Sequence, residues 1–469
     1  MKDNLIFDEN SYTVEMLELE GKNLVYRAFE GIRYLNRPVD GKMQILSIFV
    51  PEVFYKGGSI GAYNLKNAPI FFQNTVGGYM PGPSERPGRN FMGNVNASFE
   101  ALLHGYVVVS PGVRGRGMKD KSGRYIGTAP AAVCDLKAAV RFLRHNAGSV
   151  PGDVGKIISN GTSAGGALSS LLASTGNHPD YEPYLKAMGA AEESDHIFAA
   201  SCYCPITNLD HADMAYEWEF CGINEYHTMK FGYPESGEDK PEITSVDGCM
   251  TDVQKQMSAE LKHQFPSYLN SLNLKDEEEN KLTLDEHGDG SFKEYIISVA
   301  AASVQKELDR GTDLSGLDWI SIQDGKVKEI KFDGYIAFRT RMKVTPAFDN
   351  TAMGTPENEL FGTEDLQYRH FTQYSRKHSE VNGELADEQQ IRMMNPMNYI
   401  EDKKAEKAKH FRIRHGAVDR DTSLAVSAMM AVKLRNNGVD ADLEYPWGIP
   451  HAGDYDLEEL FTWIDGICR

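Results

Sequence analysis

Cysteine is scarce in this chain: six of 469 residues, at Cys134, Cys202, Cys204, Cys221, Cys249 and Cys468. Only Cys202 and Cys204 are close, and a CxC spacing is not one of the usual zinc spacings. A dense disulfide framework is therefore excluded, and reduced, mostly buried thiols in a cytosolic protein are expected. Positive charge is also in deficit, with 49 Lys and Arg against 68 Asp and Glu and a formal charge of −19. A field of that sign repels phosphate backbones and anionic lipid, so neither nucleic acid nor a membrane is expected as partner. No apolar run approaches the roughly 20 residues of a membrane span. Met1 to Leu19 read MKDNLIFDENSYTVEMLEL, too acidic for a secretory signal, which favours a cytoplasmic location. Internal repeats and low-complexity linkers are missing as well.

What is present is enough apolar residue, 41% of the chain, to build a sizeable core. The length suggests two domains, or one with a large insertion. Short apolar runs alternate with helical patterns in the first part. Ile45 to Val50 (ILSIFV) and Pro69 to Phe72 read as strands, and Tyr106 to Ser110 (YVVVS) as a central strand covered on both faces. Pro130 to Asn146 carries Val133, Leu136, Val140 and Leu143 at helical steps. Lys156 to Ser159 is a short strand before a Gly-rich turn, Ala164 to Thr175 a helix, and Ile197 to Cys204 a further apolar run. This alternation predicts an α/β fold with a mostly parallel, doubly wound sheet. Beyond Pro205 the chain becomes more polar and more helical, with charged runs such as Lys275 to Lys281 (KDEEENK), read as a solvated helix face or loop. The α/β pattern returns with a strand at His410 to His415, a helix from Ser423 to Asn437, a strand from Asp442 to Trp447 and a last helix near Leu457 to Ile467. The expected organisation is a catalytic domain formed by residues 1–204 and 396–469, with an inserted lid domain, 205–395, that carries specificity.

Gly161-Thr162-Ser163-Ala164-Gly165 matches G-x-S-x-G, the strand–turn–helix elbow that exposes a nucleophilic serine in α/β-hydrolases. The motif alone is weak, since Gly57-Gly58-Ser59-Ile60-Gly61 matches too. Context separates them: an apolar strand leads into Ser163 and an Ala/Leu helix leads out, whereas no helix begins after Ser59, which is assigned to a loop. A helix N-terminus behind Ser163 favours an oxyanion. A serine needs a base and a group that orients the base, and this fold supplies them in the order Ser, Asp/Glu, His. Asp419 follows the His410–His415 strand and His451 follows the Asp442–Trp447 strand, at strand ends where such sites form. Asp421 is the alternative orienter. The loop after the Pro69–Phe72 strand, Asn74 to Tyr79 (NTVGGY), is expected to supply the second oxyanion donor, so that the N–H groups of Gly77 and Ala164 form the hole. No metal or cofactor is called for. The expected activity is that of a serine esterase.

Several longer segments resemble the bacterial tannases, acyl hydrolases of galloyl esters. They are NTVGGYMPGP (Asn74–Pro83), GTSAGG (Gly161–Gly166), YCPITNLDHADMAYEWEF (Tyr203–Phe220), RMKVTPAFD (Arg341–Asp349), PENELFG (Pro356–Gly362), HFRIRHGAVDRDTS (His410–Ser423) and IPHAGDYDL (Ile449–Leu457). The resemblance implies an α/β-hydrolase domain with a large lid, the triad Ser163, Asp419 and His451, and Lys343, Glu357 and Asp421 as the residues holding the three ring hydroxyls of gallate. The fungal tannase and feruloyl esterase pattern places a cysteine before the serine and another after the histidine. Those neighbours are Thr162 and Ala452 here, so the chain is not of that kind. The chemistry agrees with the implied ligands: ionised Glu357 and Asp421 only accept, Lys343 only donates, and phenolic hydroxyls do both. A feruloyl esterase or general carboxylesterase uses the same triad, and only the lid residues separate these readings. A prolyl-oligopeptidase-like peptidase usually adds a propeller, for which no blade repeat appears. A non-catalytic binding protein on this scaffold often loses a triad member, and none is lost here. The expected partner is a small molecule, a gallate ester or gallotannin.

Overall fold

Valine-rich and phenylalanine-rich runs cannot face water, and this chain stacks them side by side. The computed structural model describes residues 5–90, 93–232 and 242–468. Thirteen strands occur among them: β1 (Thr13–Leu19), β2 (Lys22–Arg33), β3 (Ile45–Pro51), β4 (Pro69–Asn74), β5 (Val107–Pro111), β6 (Asp153–Thr162), β7 (Ala199–Tyr203), β8 (Glu225–Gly232), β9 (Glu242–Cys249), β10 (Ile320–Gln323), β11 (Lys326–Ile330), β12 (His410–Arg414) and β13 (Asp440–Glu444). Nine form one sheet in the order β1-β2-β3-β5-β4-β6-β7-β12-β13. From β5 to β13 every pairing is parallel; β1, β2 and β3 add an antiparallel flank. All residues of β4, β5 and β7 are buried, because helices cover both faces. Helix Leu457–Cys468 lies on one face, with the Phe461 ring 5.9 Å from Phe71. Helix Ala164–Ser174 lies on the other, where Ser169 meets Ser159 at 2.8 Å.

Most expected elements stand within a few residues of their sequence boundaries. The strand expected at Lys156 to Ser159 is longer, Asp153–Thr162, and runs directly into the turn at Ser163. The strand expected at Asp442 to Trp447 is shifted to Asp440–Glu444, since Pro446 lacks the N–H a sheet ladder needs. The β1–β2 hairpin was not anticipated. Its first strand lies on the edge of the sheet with Val14 and Met16 exposed, so the in–out alternation that marks a half-buried strand is blurred. Glu20 and Gly21, at φ 53° and 76°, form the two-residue turn between them. Lys275 to Lys281 is an exposed loop rather than a helix face.

β7 and β12 are neighbours in the sheet although residues 204–409 separate them in the chain. That long segment holds helices Leu209–Phe220, Asp252–Ser271 and Ser291–Asp309 and the hairpins β8–β9 and β10–β11. The hairpins were not expected from its polar, helical composition. Its helices gather around Trp218, whose ring lies 5.3 Å from Phe265, 6.1 Å from Phe292 and 5.5 Å from Phe332. Among the described residues no helix is long and apolar enough to cross a membrane.

Candidate active site

The turn between β6 and helix Ala164–Ser174 is tight enough to demand small residues. A Cβ on Gly161 would lie 2.5 Å from the Gly165 carbonyl, one on Gly165 2.7 Å from the Val76 oxygen, and one on Gly166 2.6 Å from the Tyr203 oxygen. Ser163 itself sits at φ 60°, ψ −122°, a region costly for a residue with a side chain. The strain is held by Ser163 N–H donating to the Tyr203 carbonyl at 2.9 Å and by the helix that starts at Ala164. Ser59 occupies a loop between β3 and β4 that no helix follows.

Ser163 Oγ lies 2.9 Å from His451 Nε2, and His451 Nδ1 lies 2.8 Å from Asp419 Oδ2. With the imidazole neutral, the serine hydroxyl donates to the ring, and the ring donates to the carboxylate. The two loops that carry base and acid are joined: Ala417 N–H donates to Pro446 O at 2.9 Å and Val418 N–H to Ile449 O at 3.1 Å. Burial alone would raise the Asp419 carboxyl, but His451 and His415 beside it, with the Asp421 N–H on Oδ1 at 2.8 Å, hold it well below the usual range. Burial opposes charge on His451, yet Asp419 wins, with Asp421 aiding, and keeps the imidazole's pKa well above its ordinary value. Asp419, and not Asp421, is the carboxylate in contact with His451; Asp421 turns to Lys343.

The loop after β4 lies against the elbow. Asn74 Nδ2 donates to Gly165 O at 3.0 Å, and the Val76 oxygen abuts Gly165. The loop that continues into Gly77 and Gly78 thus packs at Asn74 and Val76 against the start of the helix behind Ser163. Arg116 ties the same loop to the inserted segment: its Nε donates to Gly78 O at 2.6 Å and its Nη1 reaches Glu359 at 2.5 Å. Glu359 and Glu357 share helix Pro356–Leu360.

Lys343, Glu357 and Asp421, far apart in sequence, converge beside the triad. Lys343 Nζ lies 2.9 Å from Asp421 Oδ1 and 4.1 Å from the centre of the Phe348 ring. Burial raises the Glu357 carboxyl, which Lys343 partly offsets. Burial works against the charges of Lys343 and Asp421 too, but each keeps the other ionised. The result is a group of one donor-only ammonium and two carboxyl side chains, in which Asp421 stands two residues from Asp419, the partner of His451.

Four neighbours were not anticipated. His415 is wholly buried, with Nδ1 2.7 Å from Ser427 Oγ and Nε2 3.4 Å from Asp419 Oδ2; burial pushes its pKa down to about 4, so it is neutral. Cys204 Sγ lies 3.9 Å from His451 Nε2. Tyr216 OH receives the N–H groups of Met342 and Lys343 at 3.2 and 3.0 Å. Arg339 donates to the Asp419 carbonyl. No spacing rule links these residues to the triad, although Cys204, Tyr216 and His415 lie in the long recognisable segments. Among the described residues Cys204, Asp419 and His451 offer ligand atoms within 4.8 Å of one another, a group that suits a metal by type. Asp419 Oδ2 and both His451 nitrogens are already engaged in the hydrogen-bonded chain Ser163–His451–Asp419. The six cysteines are unpaired, four of them buried.

A family model described as BD-FAE, of the α/β-hydrolase type, matches residues 75–230. No curated protein matches the chain. Among solved structures the chain is similar to a tannase from Lactobacillus plantarum, with 43% identity over 99% of this chain and 100% of that one and a TM-score of 0.96. It is similar to a Fusobacterium nucleatum tannase at 46% identity, over 99% and 100% of the two chains, with a TM-score of 0.94. It is also similar to a tannin acyl hydrolase in complex with ethyl gallate, at 43% identity, over 100% and 99%, with a TM-score of 0.93.

Proposed function

The chain belongs to the bacterial tannases, an α/β-hydrolase family of ester hydrolases, and on that premise we propose that it is a serine esterase that hydrolyses galloyl esters through an acyl-enzyme. The observation that carries the reading is the Lys343–Asp421–Glu357 group beside the Ser163–His451–Asp419 chain. Three ring hydroxyls in a row offer donors to the two carboxylates and an acceptor to the ammonium. A ring lacking them would leave buried charges unpaired, which penalises the wrong acid.

Bound in this way, the galloyl group presents its carbonyl carbon to Ser163 Oγ. His451 Nε2 takes the hydroxyl proton as the oxygen attacks, and Asp419 stabilises the imidazolium. The carbonyl oxygen becomes an oxyanion, which the Ala164 N–H at the helix start and the Gly77 N–H of the neighbouring loop receive. Collapse expels the alcohol, which gains the proton from His451. Water, activated by the same imidazole, then attacks the galloyl-serine ester, releasing gallic acid and restoring Ser163. In this reading the segment 205–395 is the lid that supplies Lys343 and Glu357. The unpaired thiols support a cytoplasmic site of action. The test is a series of methyl benzoates with three, two, one and no ring hydroxyls. Activity should fall steeply along it, and an enzyme indifferent to ring hydroxylation would be a general esterase instead.

A further inference from the structure

The loop that carries Asp419 cannot satisfy its own backbone, because it leaves the end of a strand and turns before the next helix. Its carbonyls are met instead by side chains from the inserted segment. Tyr335 OH donates to Ala417 O at 2.5 Å, Arg339 Nη2 to Asp419 O, and Tyr216 OH to Arg420 O at 3.0 Å. Arg420 in turn donates to Thr340 Oγ1 at 2.5 Å. The other Arg339 nitrogen, Nη1, pairs with Glu219 Oε1, whose second oxygen accepts the Leu424 N–H at 3.0 Å. The side chains of Arg339 and Glu219 are fully buried. One ion pair thus grips both ends of the stretch from Asp419 to the helix that begins at Leu424.

A second pair runs parallel to it, two residues along each chain. Arg341 Nη2 pairs with Glu217 and also donates to Thr345 Oγ1 at 2.6 Å, while its Nε donates to the Lys343 carbonyl at 2.6 Å. The first pair therefore ends on the backbone of the proposed catalytic acid, and the second on the backbone of the proposed ring-binding lysine. We propose that Arg339 is a positioning residue for catalysis: through Glu219 and the Asp419 carbonyl it sets the carboxylate that orients His451, so the insertion takes part in the chemical step as well as in specificity. Arginine suits the task because its rigid planar fork holds two acceptors in a fixed geometry, whereas lysine offers a compact point charge on a flexible stem. The inference rests on the triad reading above, with Asp419 as orienter.

The test is kinetic, on methyl gallate and on nitrophenyl acetate, which has no ring hydroxyls to hold. Arg339→Met should lower kcat about 10- to 100-fold on both esters, the scale of an ångström of misplacement, with KM for methyl gallate within about twofold of the parent. Arg339→Lys, which keeps one charged donor, should recover part of the loss. Arg341→Met should raise KM for methyl gallate and spare nitrophenyl acetate. The decisive comparison is a double variant. With Asp419→Asn already in place the orienting carboxylate is gone, so adding Arg339→Met should cost less than about threefold more, whereas general damage to the fold would multiply through in full. A full multiplicative loss in that background overturns the proposal, as does a parental kcat in folded Arg339→Met. Should Arg339→Met fail to fold, Arg339→Lys and Glu219→Gln carry the same double-variant comparison. An Asp419→Asn enzyme with parental kcat would sink the triad assignment itself and is told apart by being measured alone.

Discussion

Replacing Lys343 by Met separates ring recognition from chemistry most sharply. The ammonium sits 2.9 Å from Asp421 Oδ1, and both side chains are only about one-fifth exposed, at 20% and 19%. At an effective dielectric near 20 the pair's gross attraction is about 6 kcal/mol, most of which is offset by the cost of burying two charges. What substrate binding loses is smaller: one charged contact to a ring hydroxyl, about 1–3 kcal/mol, or roughly 5- to 150-fold in kcat/KM. The loss should lie toward the upper end because two effects add to it. Asp421 and Glu357 are left without this cation, and the burial that raises Glu357 loses its largest counterweight, so Glu357 takes up a proton at higher pH and ceases to be a pure acceptor. Methionine keeps most of the apolar stem but removes the ammonium that lies over the Phe348 ring. The assay is kcat/KM on methyl gallate, methyl 3,4-dihydroxybenzoate, methyl benzoate and nitrophenyl acetate for parent and variant. The expected pattern is a large loss on gallate, a smaller one on dihydroxybenzoate, and changes under about threefold on the last two. An equal loss on all four esters would refute the reasoning, since it would mean that Lys343 supports the fold or the triad rather than the ring.

Ser163→Ala should abolish hydrolysis, by roughly 10⁴-fold or more, with melting temperature unchanged, while Ser59→Ala stays near parental activity; an essential Ser59 would displace the elbow. Asp419→Asn should lower kcat on nitrophenyl acetate far more than Asp421→Asn, and the reverse order would exchange their roles. The base must be neutral to accept the serine proton, and the nearby Asp419 charge raises its pKa, so kcat/KM for nitrophenyl acetate should climb with pH through a midpoint above about 6.5. Asp419→Asn removes that charge and should move the midpoint to lower pH; a midpoint that stays put counts against the electrostatic coupling. Gly453→Ala should impair catalysis about 100-fold in either ester, because the new Cβ would fall 1.8 Å from Thr162 Oγ1 and push the His451 loop away from the elbow. Parental rates in that variant would show that the loop yields without cost.

The residues proposed for the chemistry on the hydrolase scaffold are nominated by the sequence itself, because each sits at a place that local patterning marks. Ser163 lies where an apolar strand gives way through small residues to a helix, and Asp419 and His451 follow apolar strands in the order the fold requires. The parallel sheet was legible for the same reason: strands buried on both faces read as unbroken apolar runs. The edge hairpin β1–β2 and the hairpins of the insertion were not, since their faces are partly wet and their alternation is weak. Lys343 and Glu357 were reached through family resemblance alone, as a lone lysine or glutamate on a polar stretch carries no local mark of burial. Which of Asp419 and Asp421 touches His451 was a matter of three-dimensional reach: residues two apart in a loop point to different neighbours, and only the packing turns one toward His451 and the other toward Lys343. The buried pairs Glu219–Arg339 and Glu217–Arg341 belong wholly to the tertiary structure. Their partners lie more than a hundred residues apart, and charge along a sequence says nothing of whether a side chain will meet water or its counterion in the core.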